Sequence, residues 1–80
     1  MKDYKQVVIP KLLKQLRVKA DLRQLDLANL LKKPQSYVSK YESGEKTLDF
    51  IEVHEICRSL NISLIDFVKL YEENVNESKL

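Results

Sequence analysis

The feature that most constrains this chain is a break. Lys32-Lys33-Pro34 separates two short stretches that each carry helical spacing. Before it, Leu25, Ala28 and Leu31 fall three residues apart and mark the apolar stripe of a helix over about 24–31. The residue preceding a proline is pushed away from helical geometry, so that helix must stop near Lys33. Proline suits the first turn of a new helix. A helix over about 35–42 turns Val38 inward and leaves Gln35, Ser36, Ser39 and Lys40 outward. Gly44 is placed to end it in the left-handed conformation.

Composition decides what can surround this pair. Eighty residues allow one domain with a modest core. With 44% hydrophobic and 32% charged residues, an ordinary globular chain is expected. One glycine and two prolines supply too few turns for an all-β fold, so the expected class is all-α. The apolar runs are far shorter than the ~20 residues that cross a bilayer. The opening Met-Lys-Asp-Tyr-Lys-Gln leads into no long apolar segment and no small-residue cleavage site, so no secretion signal is expected. A single cysteine, Cys57, cannot form an internal disulfide and fits a reducing cytoplasm.

Five helices are expected in all. Ile9, Leu12, Leu13, Leu16 and Ala20 follow helical spacing over about 6–20, with Pro10 either in the first turn or within the opening turns. Ser43 to Leu48 reads as a loop. Asp49 with Glu52 three residues later is a capping-box pattern that opens a helix over about 50–60, its inward stripe being Phe50, Val53, Ile56, Cys57 and Leu60. Asn61 is placed to act as its left-handed stop. Ser63 and Asp66 repeat the box ahead of a helix over about 64–71, with Leu64, Phe67, Val68 and Tyr71 on its apolar side. The domain is therefore expected to span 1–71. Residues 72–80 hold too little apolar surface to offset ordering entropy and are expected to fray.

Two short helices around a tight turn, the second with an amide- and hydroxyl-rich outer face, form the helix-turn-helix pattern. The charge distribution agrees. Residues 1–46 carry eleven Lys/Arg against five Asp/Glu (+6), while residues 47–80 carry three against seven (−4). A basic half containing this motif is how a phosphate-facing surface appears in sequence, so a DNA-binding domain is expected.

The stretch from about Leu12 to Phe67 resembles the phage-repressor helix-turn-helix domains, the Cro and lambda-repressor-like or XRE family. The matching string is Leu16-Arg17, Leu22, Gln24, Leu27-Ala28, Leu31, Gln35-Ser36, Val38-Ser39, Tyr41-Glu42 and Gly44, followed by Asp49, Val53, Ile56, Leu60, Ile62-Ser63 and Phe67. The resemblance implies a compact five-helix bundle whose third helix lies in the DNA major groove. It implies that Gln35, Ser36 and Lys40 read base edges. Gln24, Tyr37, Ser39, Lys46 and Thr47 would hold the sugar–phosphate backbone, and Arg17 with Glu42 would form a structural ion pair between the first and third helices. The chemistry is reasonable: Gln can pair bidentately with adenine, Lys favours guanine acceptors and Ser discriminates little. Three positions depart from the family pattern. Arg23 replaces the Ser or Thr cap of the second helix, leaving either Asp21 as a substitute or a frayed end. Lys32 replaces a small turn residue, and Pro34 replaces the cap of the third helix. Arg23 and Lys32 would add positive charge beside the DNA face.

Other chemistries find little support. His54 and Cys57 share a helix face, but a stable zinc site takes about four ligands and the chain has no further His or Cys. Neither a metal nor a cofactor is expected, and with one His and no glycine-rich phosphate loop the chain is not expected to be an enzyme. The leading expectation is a cytoplasmic, sequence-specific regulator that binds double-stranded DNA as a homodimer on a palindromic operator. Val7, Val8, Ile51, Ile65 and Leu70 are candidate dimer contacts. The alternative is an antitoxin-like module whose main partner is another protein.

Overall fold

The computed structural model describes residues 4–77. Among them are five helices and no strand: α1 Tyr4–Lys19, α2 Gln24–Leu31, α3 Gln35–Ser43, α4 Phe50–Ser59 and α5 Leu64–Glu77. This is the expected all-α, five-helix architecture. None of these helices is long and apolar enough to cross a membrane. α1 packs against α3 and α5, and α2 packs against α3 and α4. Leu13, Leu27, Val38, Tyr41, Ile56 and Cys57 are the largest fully buried side chains, drawn from the first four helices; Phe67 of α5 closes the core.

The helix ends explain how so few glycines suffice. Asp21, Lys32 and Asn61 follow α1, α2 and α4 with φ of 62°, 58° and 60°. Each begins the same backbone arrangement, seen in Lys33 N–H to Ala28 O at 2.9 Å, Leu22 N–H to Arg17 O at 3.1 Å and Ile62 N–H to Cys57 O at 3.0 Å. These six-to-one bonds satisfy carbonyls that the helix leaves open. Asn61 performs the stop expected of it, and Gly44 (φ 88°) does so for α3. Asp21 is thus occupied in ending α1 and does not cap α2. The helix starts differ. Asp49 Oδ1 accepts from the Glu52 amide at 2.7 Å while Glu52 Oε1 accepts from the Asp49 amide at 3.0 Å, completing the expected box. Ser63 Oγ accepts from the Asp66 amide at 3.1 Å.

Several expectations are corrected. α1 begins at Tyr4 rather than near residue 6, and Pro10 takes the second of its two expected places, within the opening turns. The inward face of α2 is carried by Leu27 and Ala28, both fully buried, whereas Leu25 is 42% exposed. Phe50, expected inward, is exposed because it sits on the opening turn of α4 at the edge of the core. Val68 is also exposed, and Val8 belongs to the core. α5 does not end near 71. It continues to Glu77 because Val75, one turn beyond Tyr71, finds a place in the core, and Leu70 and Tyr71 are partly buried beside it. Of the stretch expected to fray, 72–77 is helical, and 78–80 lies outside the described residues.

Val75 gives a direct test of that extension. Val75→Ala should lower unfolding free energy by about 1–2 kcal/mol in urea denaturation. No measurable loss would mean that the last turns of α5 contribute nothing to the fold.

Candidate nucleic-acid interface

α2 packs against α3, and Ala28 on the one and Val38 on the other are fully buried in the core. This packing turns Gln35, Ser36, Ser39 and Lys40 of α3 to solvent, as expected. Lys32 and Lys33 in the turn and Thr47 in the following loop are exposed as well. Pro34, at the cap position, has φ −68° and ψ 155° and accepts from the Tyr37 amide through its carbonyl at 3.0 Å, so backbone rather than side chain opens α3.

Beneath this surface runs a polar chain that starts in the core. Arg17 is 8% exposed and donates from Nε to Glu42 Oε2 at 2.7 Å and from Nη2 to Oε1 at 3.1 Å. Its Nη1 donates to the carbonyl of Leu22 at 2.6 Å. A two-point guanidinium–carboxylate pair fixes orientation as well as charge. The bond to Glu42 outweighs burial and raises the Arg17 pKa further. Gln24 Nε2 donates to Glu42 Oε1 at 3.0 Å, and Gln35 Nε2 donates to Gln24 Oε1 at 3.4 Å. The sequence reading paired Arg17 with Glu42 but did not connect the two glutamines to it. No local spacing signals that link, since eleven residues and a turn separate Gln24 from Gln35.

A second group gathers around Tyr37, in the first turn of α3. Tyr37 is half-buried, its hydroxyl donating to Glu52 Oε2 at 2.8 Å. Lys46 Nζ reaches the same oxygen at 3.3 Å and lies 5.6 Å from the Tyr37 ring centre, with Lys33 Nζ at 5.4 Å. The backbone amide of Lys46 donates to the Lys40 carbonyl at 3.1 Å, which ties the loop to α3. Burial, reinforced by Glu52, holds the Tyr37 hydroxyl well above the usual tyrosine range. Tyr41 meets Tyr37 edge-on at 5.8 Å and is fully buried, so it packs in the core. Sequence reasoning missed Glu52 as part of this surface because the capping box already accounted for it.

Arg23 does not behave as a free cation. Its backbone amide and guanidinium both donate to Asp26, at 2.8 to 3.0 Å, so Asp26 supplies the reciprocal half of a capping box while Arg23 offers the helix no side-chain acceptor. The guanidinium hydrogen bond, followed by the backbone one, pulls the Asp26 carboxyl down to about 2. A depressed carboxylate contributes its stability above the unfolded range and loses it only as pH falls toward that value. Arg23 charge is therefore offset at neutral pH, unlike that of Lys32. Elsewhere, burial pushes the Cys57 thiol up to about 11, while His54 is exposed. No group of three His, Cys, Asp or Glu among the described residues is placed to hold a metal ion.

The helix-turn-helix family model matches residues 13–67, which span α2, the turn, α3 and α4 and most of the core. The chain belongs to the helix-turn-helix family. An XRE-family like protein from Pseudomonas syringae pv. tomato str. DC3000 is 33% identical, with a TM-score of 0.81 over 86% of this chain and 84% of that one. The wild-type restriction-modification controller protein C.Esp1396I is 19% identical and superposes with a TM-score of 0.86 over 92% of this chain and 97% of that one. The C.Esp1396I tetramer in complex with its natural 35 base-pair operator gives 0.83 at 19% identity, covering 90% and 95%. At that identity the likeness to the controller protein is one of fold. No curated protein matches the chain in sequence.

The buried pair in this helix-turn-helix chain is open to test. Arg17→Met leaves the Glu42 carboxylate buried without its cation and should cost about 3–5 kcal/mol, whereas adding Glu42→Leu should recover much of that loss. A double-mutant cycle in urea measures both. A single-variant loss below ~1 kcal/mol would place the pair among ordinary surface contacts.

Proposed function

We propose that this chain is a sequence-specific regulator that binds double-stranded DNA with α3 in the major groove. The observation that carries the reading is the α3 face itself. Gln35, Ser36, Ser39 and Lys40 stand free of the core on a helix whose inner side is locked by Val38 and Tyr41. Family membership supports the same reading. Gln35, Ser36 and Lys40 are the proposed base-reading residues. Gln24, Ser39, Lys46 and Thr47 are the proposed backbone contacts, with Tyr37 at their edge. Gln24 stands at the amino end of α2, where the helix dipole favours a phosphate. Its bond to Gln35 lets one glutamine hold a phosphate while it steadies the other at a base edge. Arg17 and Glu42 brace this arrangement from below. A cytoplasmic location and a non-enzymatic role accompany the proposal.

Replacing Gln35 or Lys40 by Ala should cost ~1–3 kcal/mol of binding and relax one base position. Selection from random duplex DNA at ~0.1 M salt is the decisive measurement, because phosphate attraction still operates there. A palindrome should emerge with half-sites about one DNA turn apart. Absence of any enriched sequence would defeat the reading.

A dimer is part of the proposal, and the face assigned to it lies on α4 and α5. Phe50, Ile51 and Ile65 are each more than two-thirds exposed, and Val68 is 41% exposed beside them. Glu55 and Arg58 on α4 with Asp66 and Lys69 on α5 give this region both signs of charge. Mixed signs suit a two-fold contact between copies, in which one patch must complement itself. The controller protein described with its operator is a tetramer, which accords with an assembling fold. Ile51→Asp together with Ile65→Asp should yield a folded monomer by analytical ultracentrifugation. DNA affinity should fall by at least tenfold through loss of the second half-site. A double variant that remains dimeric would move the interface elsewhere. A monomeric wild type that binds a different protein through these residues would instead favour the interaction-module reading.

A further inference from the structure

We infer that Glu52 is a latch on the DNA-facing loop: it holds Lys46 and the Tyr37 hydroxyl in the free protein, and DNA phosphate must displace it before Lys46 can engage. The inference rests on the proposed DNA-binding reading. Its starting point is the division of labour between the two carboxylate oxygens. Oε1 accepts from the Asp49 amide at 3.0 Å and belongs to the helix cap. Oε2 accepts from the Tyr37 hydroxyl at 2.8 Å and lies 3.3 Å from Lys46 Nζ. A helix cap needs the first oxygen only. The second connects α3 and the following loop to α4.

The cap also fixes this carboxylate in place. Tyr37, Lys46 and the Asp49 amide, the last most strongly, hold the Glu52 carboxyl below its ordinary range, so it is charged at neutral pH. Lys46 is held from three sides: by Glu52, by the Tyr37 ring at 5.6 Å and by its backbone bond to Lys40. Its side chain is still 35% exposed, so a phosphate can approach. When one does, Lys46 exchanges one anion for another. The gain from that contact is then reduced by the pair given up, and a carboxylate is left beside the incoming phosphate. Lys33, 5.4 Å from the Tyr37 ring, makes no ion pair with Glu52 and is not restrained by this latch.

Glu52→Gln tests this with little disturbance, because glutamine serves the same role in a capping box. Its side-chain oxygen can still accept from Asp49, and thermal unfolding checks that the fold is retained. Binding to a short mixed-sequence duplex should tighten about three- to fivefold at ~0.1 M salt. The plot of log affinity against log salt should steepen by up to about one unit, as for one further phosphate contact. Lys46→Gln separates a latch from simple charge repulsion. In the Lys46→Gln background, Glu52→Gln should change affinity much less than in the wild type. An equal effect in both backgrounds, or an unchanged salt slope, overturns the latch while leaving DNA binding intact. Failure of the wild type to bind any duplex at low salt overturns the DNA-binding reading and the latch with it. Should Glu52→Gln unfold, the wild-type comparison with Lys46→Gln still decides: a latch predicts a salt slope lowered by well under one unit, and a full unit overturns it.

Discussion

The buried pair of Arg17 and Glu42 is the interaction on which the presentation of the surface depends. Burying two charges is costly unless their remaining hydrogen-bonding capacity is met. Here the guanidinium donates to both carboxylate oxygens and to the Leu22 carbonyl, while Glu42 also accepts from Gln24. Those bonds join the end of α1, the link into α2 and the last turn of α3 through one site. Because Gln24 then accepts from Gln35, the order imposed in the interior reaches the first exposed turn of α3. A hydrophobic pair of similar volume would fill the space, but it would give Gln24 nothing to bond.

The turn between α2 and α3 solves a related problem with unusual residues. Lys32 adopts the left-handed conformation that glycine takes most readily, at an expected cost of about 1 kcal/mol. Pro34 opens α3 without a side-chain acceptor, and Arg23 opens α2 the same way. The six-to-one backbone bond from Lys33 closes the end of α2, and the Asp26 carboxylate, reaching back to the Arg23 amide, steadies its start. The result leaves Lys32 exposed where a small turn residue would carry no charge, with Lys33 exposed beside it. Local stability and phosphate attraction are therefore set by the same few positions.

Much of this was legible from spacing. The Pro34 break, the Asp49–Glu52 box and the left-handed stops at Asn61 and Gly44 are local features, and each predicts one boundary of the fold. The Arg17–Glu42 pair and the roles given to α3 came from family resemblance, because two charges 25 residues apart carry no local signal. What escaped the sequence depended on tertiary placement. Leu25 and Leu27 are equally apolar, and only the angle at which α2 meets its neighbours decides that Leu27 is buried. Val75 lies in a polar stretch whose composition suggests fraying, yet one well-placed side chain carries α5 onward. Glu52 was hidden by having a sufficient local explanation.

That double use of Glu52 bears on how so small a reader can be selective. Phosphate attraction adds affinity at every site, whereas base contacts add it at few. One α3 offers three candidate base-reading side chains, and a genome offers ~10⁶–10⁹ competing sites. More lysines would raise affinity for all of them together. A basic half of net +6 thus needs some restraint, and the structure has two carboxylates that provide it. Asp26 neutralises Arg23 beside α2, and Glu52 engages Lys46 beside α3. Both also serve helix starts, so a capping residue is not spare material on this surface. Lys32 and Lys33 are exposed beside α3, where the proposed docking would bring them to phosphate together with the base-reading side chains. The balance between held and exposed cations, rather than net charge, is then the quantity that sets non-specific binding.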